Sequence, residues 1–236
     1  MRNMSILNAA VLALGLFGAG GCGGGGSSNP VPIEQLDARF AHSVCAKLLE
    51  CCTTAELMQF FPGGAPANAA ACETQLTPVA AQFVFKNAHA SITASRATYS
   101  ADKAGECFDA LDSAACTKFN PDNFGTVSAA CDVAIVGNVA AGGACAAETD
   151  CSGTDSFCEG TSGGTATDGH CAAVPGNGES CSGPCKDGSY CDNGTSKCAT
   201  LKADGTDCVD SSECKGGKCD SGTSKCVTPA PTCDGQ

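Results

Sequence analysis

The 236-residue chain has no tryptophan, two tyrosines and three histidines, and aromatic residues make up only 5% of it. His42, His89 and His170 are its whole supply of imidazole, and no two of them stand at metal-ligand spacing. Positive charge is also scarce. Thirteen basic residues face 25 acidic ones, for a net charge of −12, a sign that repels nucleic acid and anionic membrane surfaces. No two cysteines stand in C-x-x-C spacing, the unit of zinc ribbons and thioredoxin-like redox sites. G-x-S-x-G, H-E-x-x-H and phosphate-loop patterns are absent too, so nothing in the sequence asks for an enzyme. The apolar run at residues 6–17 has 12 residues, short of the roughly 20 that span a bilayer as a helix.

Cysteine and glycine are abundant instead, at 21 and 30 residues, and cysteine at this level marks a disulfide scaffold. Residues 1–21 combine Arg2, the short apolar run and small residues up to Gly21, the pattern of an export signal. Gly18-Ala19-Gly20-Gly21-Cys22, followed by a Gly/Ser-rich stretch, resembles the lipobox of bacterial lipoproteins. That resemblance implies a lipid on Cys22, a flexible tether over residues 22–31 and, with Gly23 next in line, transport to the outer membrane. Simple secretion, or residence in the periplasm, is the alternative. Parity agrees with lipidation, since removing Cys22 from an odd total leaves 20 cysteines that can all pair. Gly18, Gly20 and Gly23 also spell G-x-G-x-x-G, but they flank a cleavage point and do not join a strand to a helix.

The composition changes near residue 142. Eight phenylalanines lie between residues 32 and 138, whereas residues 145–236 hold 13 cysteines and few large apolar side chains. That second half is too poor in core to fold unstapled. Residues 32–141 read as a small all-α domain of four or five helices. Ile33, Leu36, Phe40, Val44 and Leu48 repeat at helical spacing, with Cys45 and Cys52 on the same side. Thr53 and Glu56 form a capping box, Asn68 and Ser100 are N-caps, and Thr77-Pro78 reads as the start of a further helix. Cys45 and Cys52 are seven positions apart, roughly 10 Å along a helix, beyond disulfide reach. Cys45, Cys51 and Cys52 are therefore expected to bond outward, to Cys72, Cys107, Cys116 or Cys131. Seven cysteines cannot all pair among themselves, so one bridge is expected to reach the tail, with Cys131 to Cys145 or to Cys233 as the candidates.

Residues 142–236 repeat. Gly142-x-x-Cys145 opens a first unit (142–171) with Cys151, Cys158 and Cys171. Gly178-x-x-Cys181 opens a second (178–198) with Cys185, Cys191 and Cys198, and Gly205-x-x-Cys208 a third (205–226) with Cys214, Cys219 and Cys226. Cys191-Asp-Asn-Gly-Thr-Ser-Lys-Cys198 and Cys219-Asp-Ser-Gly-Thr-Ser-Lys-Cys226 end their units almost identically, which predicts short β-hairpins closed at Asn-Gly or Ser-Gly. Four cysteines allow three connectivities. The run Cys185-Lys-Asp-Gly-Ser-Tyr-Cys191, with Lys197-Cys198 and the spacing from Cys208 to Cys226, resembles the Dickkopf-type N-terminal cysteine-rich module over residues 142–226. The resemblance implies a cysteine framework for extracellular binding and names no partner. The first unit departs from it by a Gly/Thr-rich insertion before Cys171.

An oxidising compartment makes these cysteines structural and not metal-binding, and no cofactor is expected. His42 is placed on the polar side of its helix, His89 near a helix end and His170 beside Cys171. Asp204, Asp207, Asp210 and Glu213 recur every third residue around Cys208 without the order of an EF-hand, so they read as a solvated acidic face. Asn193-Gly194-Thr195 matches a glycosylation acceptor but reads as a turn. The functional expectation is a non-catalytic, lipid-anchored protein that binds or adheres to a protein ligand at the cell surface. A disulfide-rich protease inhibitor or toxin-like effector is the alternative.

Overall fold

The computed structural model describes residues 29–61, 63–116, 131–161, 166–228 and 233. The leader and Cys22 lie outside the described residues. The chain divides into two compact units, one running through Asn138 and taking in Cys233, the other formed by Val139–Ala230. No helix among the described residues is long and apolar enough to cross a membrane.

The first unit carries α1 (Leu36–Cys51), α2 (Thr54–Phe60), α3 (Ala69–Val79), α4 (Lys86–Thr93) and α5 (Ala101–Ser113). Leu36, Val44 and Leu48 of α1 are buried with Leu57, Phe61, Phe108 and Leu111, the stripe that helical spacing implies. Caps hold the helix starts as the sequence leads one to expect. The Thr53 hydroxyl accepts from Glu56 N–H at 3.2 Å, while the Glu56 carboxylate accepts from Thr53 N–H at 2.7 Å. Asn68 accepts from Ala71 N–H at 2.9 Å and Ser100 from Lys103 N–H at 3.4 Å.

Thr77-Pro78 does not start a helix. α3 runs through both residues, and the Thr77 hydroxyl donates back to the Glu73 carbonyl at 2.8 Å. Proline removes a ladder donor inside a helix. The irregularity follows at once as a π-turn over Ala80–Val84, where Phe85 N–H reaches back five residues to the Ala80 carbonyl at 2.8 Å.

The first half is also not all-α. β1 (Ala97–Tyr99) and β2 (Ile135–Gly137) form an antiparallel pair with Thr98 opposite Val136. The pairing joins segments some 38 positions apart, each three residues long, too short for alternation to show. Tyr99 donates its hydroxyl to the Val31 carbonyl at 2.6 Å; burial, reinforced by the Glu34 charge, pushes its pKa up to about 12.

Disulfides join Cys45 to Cys72, Cys51 to Cys116, Cys107 to Cys131 and Cys52 to Cys233. α1 is thus stapled outward at Cys45 and Cys51 as expected, and one bridge does reach the C-terminal segment. Its partner is Cys52, however, and not Cys131, which bonds Cys107. α1 ends at Cys51 and Cys52 is extended, so the two neighbouring sulfurs point to different partners. The Glu56 carboxylate adds a second tie by accepting the Cys233 N–H at 2.9 Å.

The second unit contains β3 (Ala144–Cys145), β4 (Ser156–Glu159), β5 (Gly169–Ala173), β6 (Ser189–Asp192), β7 (Lys197–Thr200), β8 (Lys218–Asp220) and β9 (Lys225–Val227). β4–β5, β6–β7 and β8–β9 are antiparallel pairs with the last two cysteines of each module directly opposite: Cys158 and Cys171, Cys191 and Cys198, Cys219 and Cys226.

Candidate functional site in the cysteine-rich modules

Directly opposite cysteines do not bond each other here. Each module links its first cysteine to its third and its second to its fourth: Cys145–Cys158 and Cys151–Cys171, Cys181–Cys191 and Cys185–Cys198, Cys208–Cys219 and Cys214–Cys226. The three connectivities open from sequence resolve to one, used three times. The first module adopts it despite its insertion.

The backbone repeats with the same fidelity. Gly142, Gly178 and Gly205 have φ of +80°, +83° and +84°, a region that favours glycine. Each donates its N–H to the carbonyl of its module's last cysteine, at 2.8, 2.7 and 2.8 Å. This explains why the motif opens with glycine. The residue three positions earlier is tied to the turn after the second cysteine. Val139 accepts from Ser152 N–H, Pro175 from Lys186 N–H and Lys202 from Lys215 N–H, at 2.8–2.9 Å. Val139 and Lys202 also donate to Asp150 and Glu213 carbonyls, a bond that Pro175 lacks the hydrogen to make.

The hairpin turns differ from the Asn-Gly geometry expected. Gly194 and Gly222 are not the positive-φ residues; Ser196 and Ser224 are, both at +53°. Asp192 and Asp220 organise the turns. Asp192 accepts from Gly194 N–H at 2.9 Å and Thr195 hydroxyl at 2.8 Å, and Asp220 accepts from Gly222 N–H, Thr223 N–H and Thr223 hydroxyl at 2.8–3.1 Å. The threonine hydrogen bonds, foremost, hold both carboxyls below the usual carboxylate range.

Successive modules touch through the residue before the third cysteine. The Phe157 ring lies so close to Gly183 of the second module that a Cβ there would sit 2.8 Å from it, and Ser182 donates to Glu159 across the same junction. Tyr190 meets Lys202, whose ammonium is 5.8 Å from the ring centre and 2.5 Å from Glu213 of the third module. Lys202 is raised above its ordinary value, chiefly by that Glu213 hydrogen bond. The third module carries Lys218 at the equivalent position, exposed.

The acidic positions Asp204, Asp207, Asp210 and Glu213 each have a protein partner. Asp204 accepts from Thr228 N–H and hydroxyl (3.1 and 2.7 Å), Asp207 pairs with Lys225 (2.6 Å), Asp210 accepts from Ser212 N–H (2.8 Å) and Glu213 holds Lys202. They do not converge on one point, and the geometric clusters among the described residues are triplets of cysteine sulfurs already in disulfides. Every histidine lies against a carboxylate: His42 by Glu73 at 2.8 Å, His89 by Asp37 at 3.1 Å and His170 by Glu159 at 3.1 Å. His89 is the fourth residue of the eight-residue α4. No two histidines share a carboxylate.

Glu213 also accepts the Val209 N–H at 3.3 Å. Asp150 does the same in the first module, accepting Ala146 N–H at 2.7 Å. The same frame therefore braces the loop between first and second cysteines in both modules. Ala146 is 2% exposed and Val209 is 92% exposed. Val209, Asp210 and Ser211 border an open concavity together with Asp220 and Ser221.

Comparison of the chain with protein-family models, with curated proteins and with solved structures finds no match.

Proposed function

We propose that this chain is a non-catalytic extracellular binding protein, a bacterial surface lipoprotein anchored through Cys22, whose three Dickkopf-like modules hold the contact loops. The observation that carries this reading is one cross-link pattern used three times around first loops of different sequence: Ala146–Asp150 in the first module, Ser182–Pro184 in the second and Val209–Glu213 in the third. Scaffold is kept while loops vary, which is how binding surfaces are built on rigid frames. Cysteine stoichiometry supports the anchor. The ten bridges consume every cysteine except Cys22.

Metabolic labelling with a radioactive fatty acid tests the anchor: the wild-type chain takes up label and Cys22→Ala does not. Proximity labelling on intact cells tests the location. Outer-membrane and external neighbours are expected, and a set confined to periplasmic proteins overturns the surface assignment.

A further inference from the structure

Two Asn-Gly pairs lie in and just before the second module, Asn177-Gly178 and Asn193-Gly194, and both asparagines are exposed. Asparagine followed by glycine carries a reaction of its own. The glycine backbone nitrogen can attack the side-chain amide carbon, and the missing Cβ leaves that approach open. The structure treats the two pairs differently. Gly178 opens the module in the left-handed conformation it shares with Gly142 and Gly205, and its N–H donates to the Cys198 carbonyl at 2.7 Å. Cys198 is bonded to Cys185, and across the same turn the Gly176 carbonyl accepts the Glu179 N–H at 3.0 Å. A carbonyl does not take up the proton that the attacking nitrogen must lose, so Gly178 would have to leave the module frame before it reacted.

Gly194 lies in the turn between β6 and β7, and its N–H donates at 2.9 Å to a carboxylate, that of Asp192. The group that orients this nitrogen is therefore also a base, already in hydrogen-bond contact with the proton to be removed. Asp192 is fixed in its turn: its carboxylate accepts the Thr195 hydroxyl at 2.8 Å and its backbone carbonyl accepts the Ser196 N–H at 2.7 Å. The third module repeats the arrangement without the reactive amide. Asp220 accepts the Gly222 N–H at 3.1 Å, but Ser221 stands in the place of Asn193.

We propose that Asn193 is a site of spontaneous deamidation with Asp192 as the base, and that the module frame protects Asn177 from the same reaction. Gly194 N attacks Asn193 Cγ, and the new carbon–nitrogen bond closes a succinimide. The Gly194 proton passes by way of Asp192 to the departing side-chain nitrogen, which leaves as ammonia. One water then opens the succinimide to aspartate or isoaspartate. Either product adds a negative charge to the turn, and isoaspartate also lengthens its backbone by one methylene. The turn therefore changes with the age of the chain, and this depends neither on the anchor nor on any partner.

The test is peptide mapping by mass spectrometry on the purified, oxidised full chain held in warm neutral buffer. Asn193 is expected to convert to the acid about tenfold faster than Asn177 or more, the factor withheld where one backbone hydrogen bond must first open. In the reduced chain under denaturant both N–H groups face water, and the two rates should converge. Asp192→Asn keeps an oxygen acceptor for Gly194 N–H but removes the base, and should slow conversion at Asn193 about tenfold or more. Ser221→Asn should create a second converting site in the folded chain. Equal rates at Asn193 and Asn177 in the folded chain overturn the proposal. So do an Asn193 that stays unchanged, an Asp192→Asn chain that converts as fast as the wild type, and a Ser221→Asn chain that gains no site.

Discussion

Gly205 and Gly183 are both confined to glycine, for unrelated reasons. Gly205 has φ +84° and open space where a Cβ would go, so Gly205→Ala meets backbone strain alone. A loss of about 1 kcal/mol is expected in denaturant melts of the oxidised protein. Gly183 has an ordinary φ but faces the Phe157 ring, so Gly183→Ala should instead disturb the junction between modules, seen as shifted ring resonances of Phe157. The leading glycines were legible in sequence because they recur at fixed spacing. The left-handed serines were not, since Ser196 and Ser224 hold that conformation only because Asp192 and Asp220 wrap the turn around their own side chains. These two aspartates carry a pH signature. Their folded pKa values are depressed, so their contribution is present above the ordinary carboxylate range and lost as pH falls through the folded values. Carboxyl NMR titration should find both below the free-aspartate value, and Thr195→Val and Thr223→Val should each raise the neighbouring one.

Among elements, the helix starts were readable because a cap is a local event, made by Thr53, Asn68 or Ser100 with a backbone N–H three residues away. Thr53→Ala should destabilise the first unit by about 1 kcal/mol. The β1–β2 pair was hidden by its distance in sequence, and the π-turn because proline marks a helix start and a helix interruption with the same letter. Module stacking was hidden for another reason: nothing in Phe157 or Tyr190 taken singly distinguishes a side chain that covers its own hairpin from one that reaches the next. Phe157 is 6% exposed, and Phe157→Ala should cost about 3 kcal/mol, with faster hydrogen exchange at the backbone of residues 182–183 as the local readout. Lys218 at the third position presents a charge where the earlier modules present a ring.

At the scale of the whole chain, cysteine parity foretold that a bridge would run from the first half to the tail, but only geometry could choose its ends. Cys52 leaves α1 in an extended conformation and so turns away from the Cys51 direction, a detail of one residue's ψ angle that spacing does not encode. Cys233→Ser should lower the stability of the first unit by about 2–5 kcal/mol, and calorimetry should show the second unit unaffected. The same substitution leaves Cys52 as a thiol beside the Cys51–Cys116 bridge, so scrambled pairings are expected on peptide mapping unless Cys52 is replaced as well.

Because Cys233 returns to Cys52, the second unit is joined to the first at both of its ends, by peptide at Asn138–Val139 and by disulfide through Cys233. Release of the modules from the first unit therefore needs two events. A single nick near residue 138 should leave one band on a non-reducing gel and two after reduction, whereas a nick between residues 228 and 233 leaves the modules on the first unit through the 138–139 peptide even after reduction. After the nick near residue 138, either a second cut before Cys233 or a reductant releases the modules, so their lifetime on the first unit is set by the coincidence of two rare events and not by the rate of one.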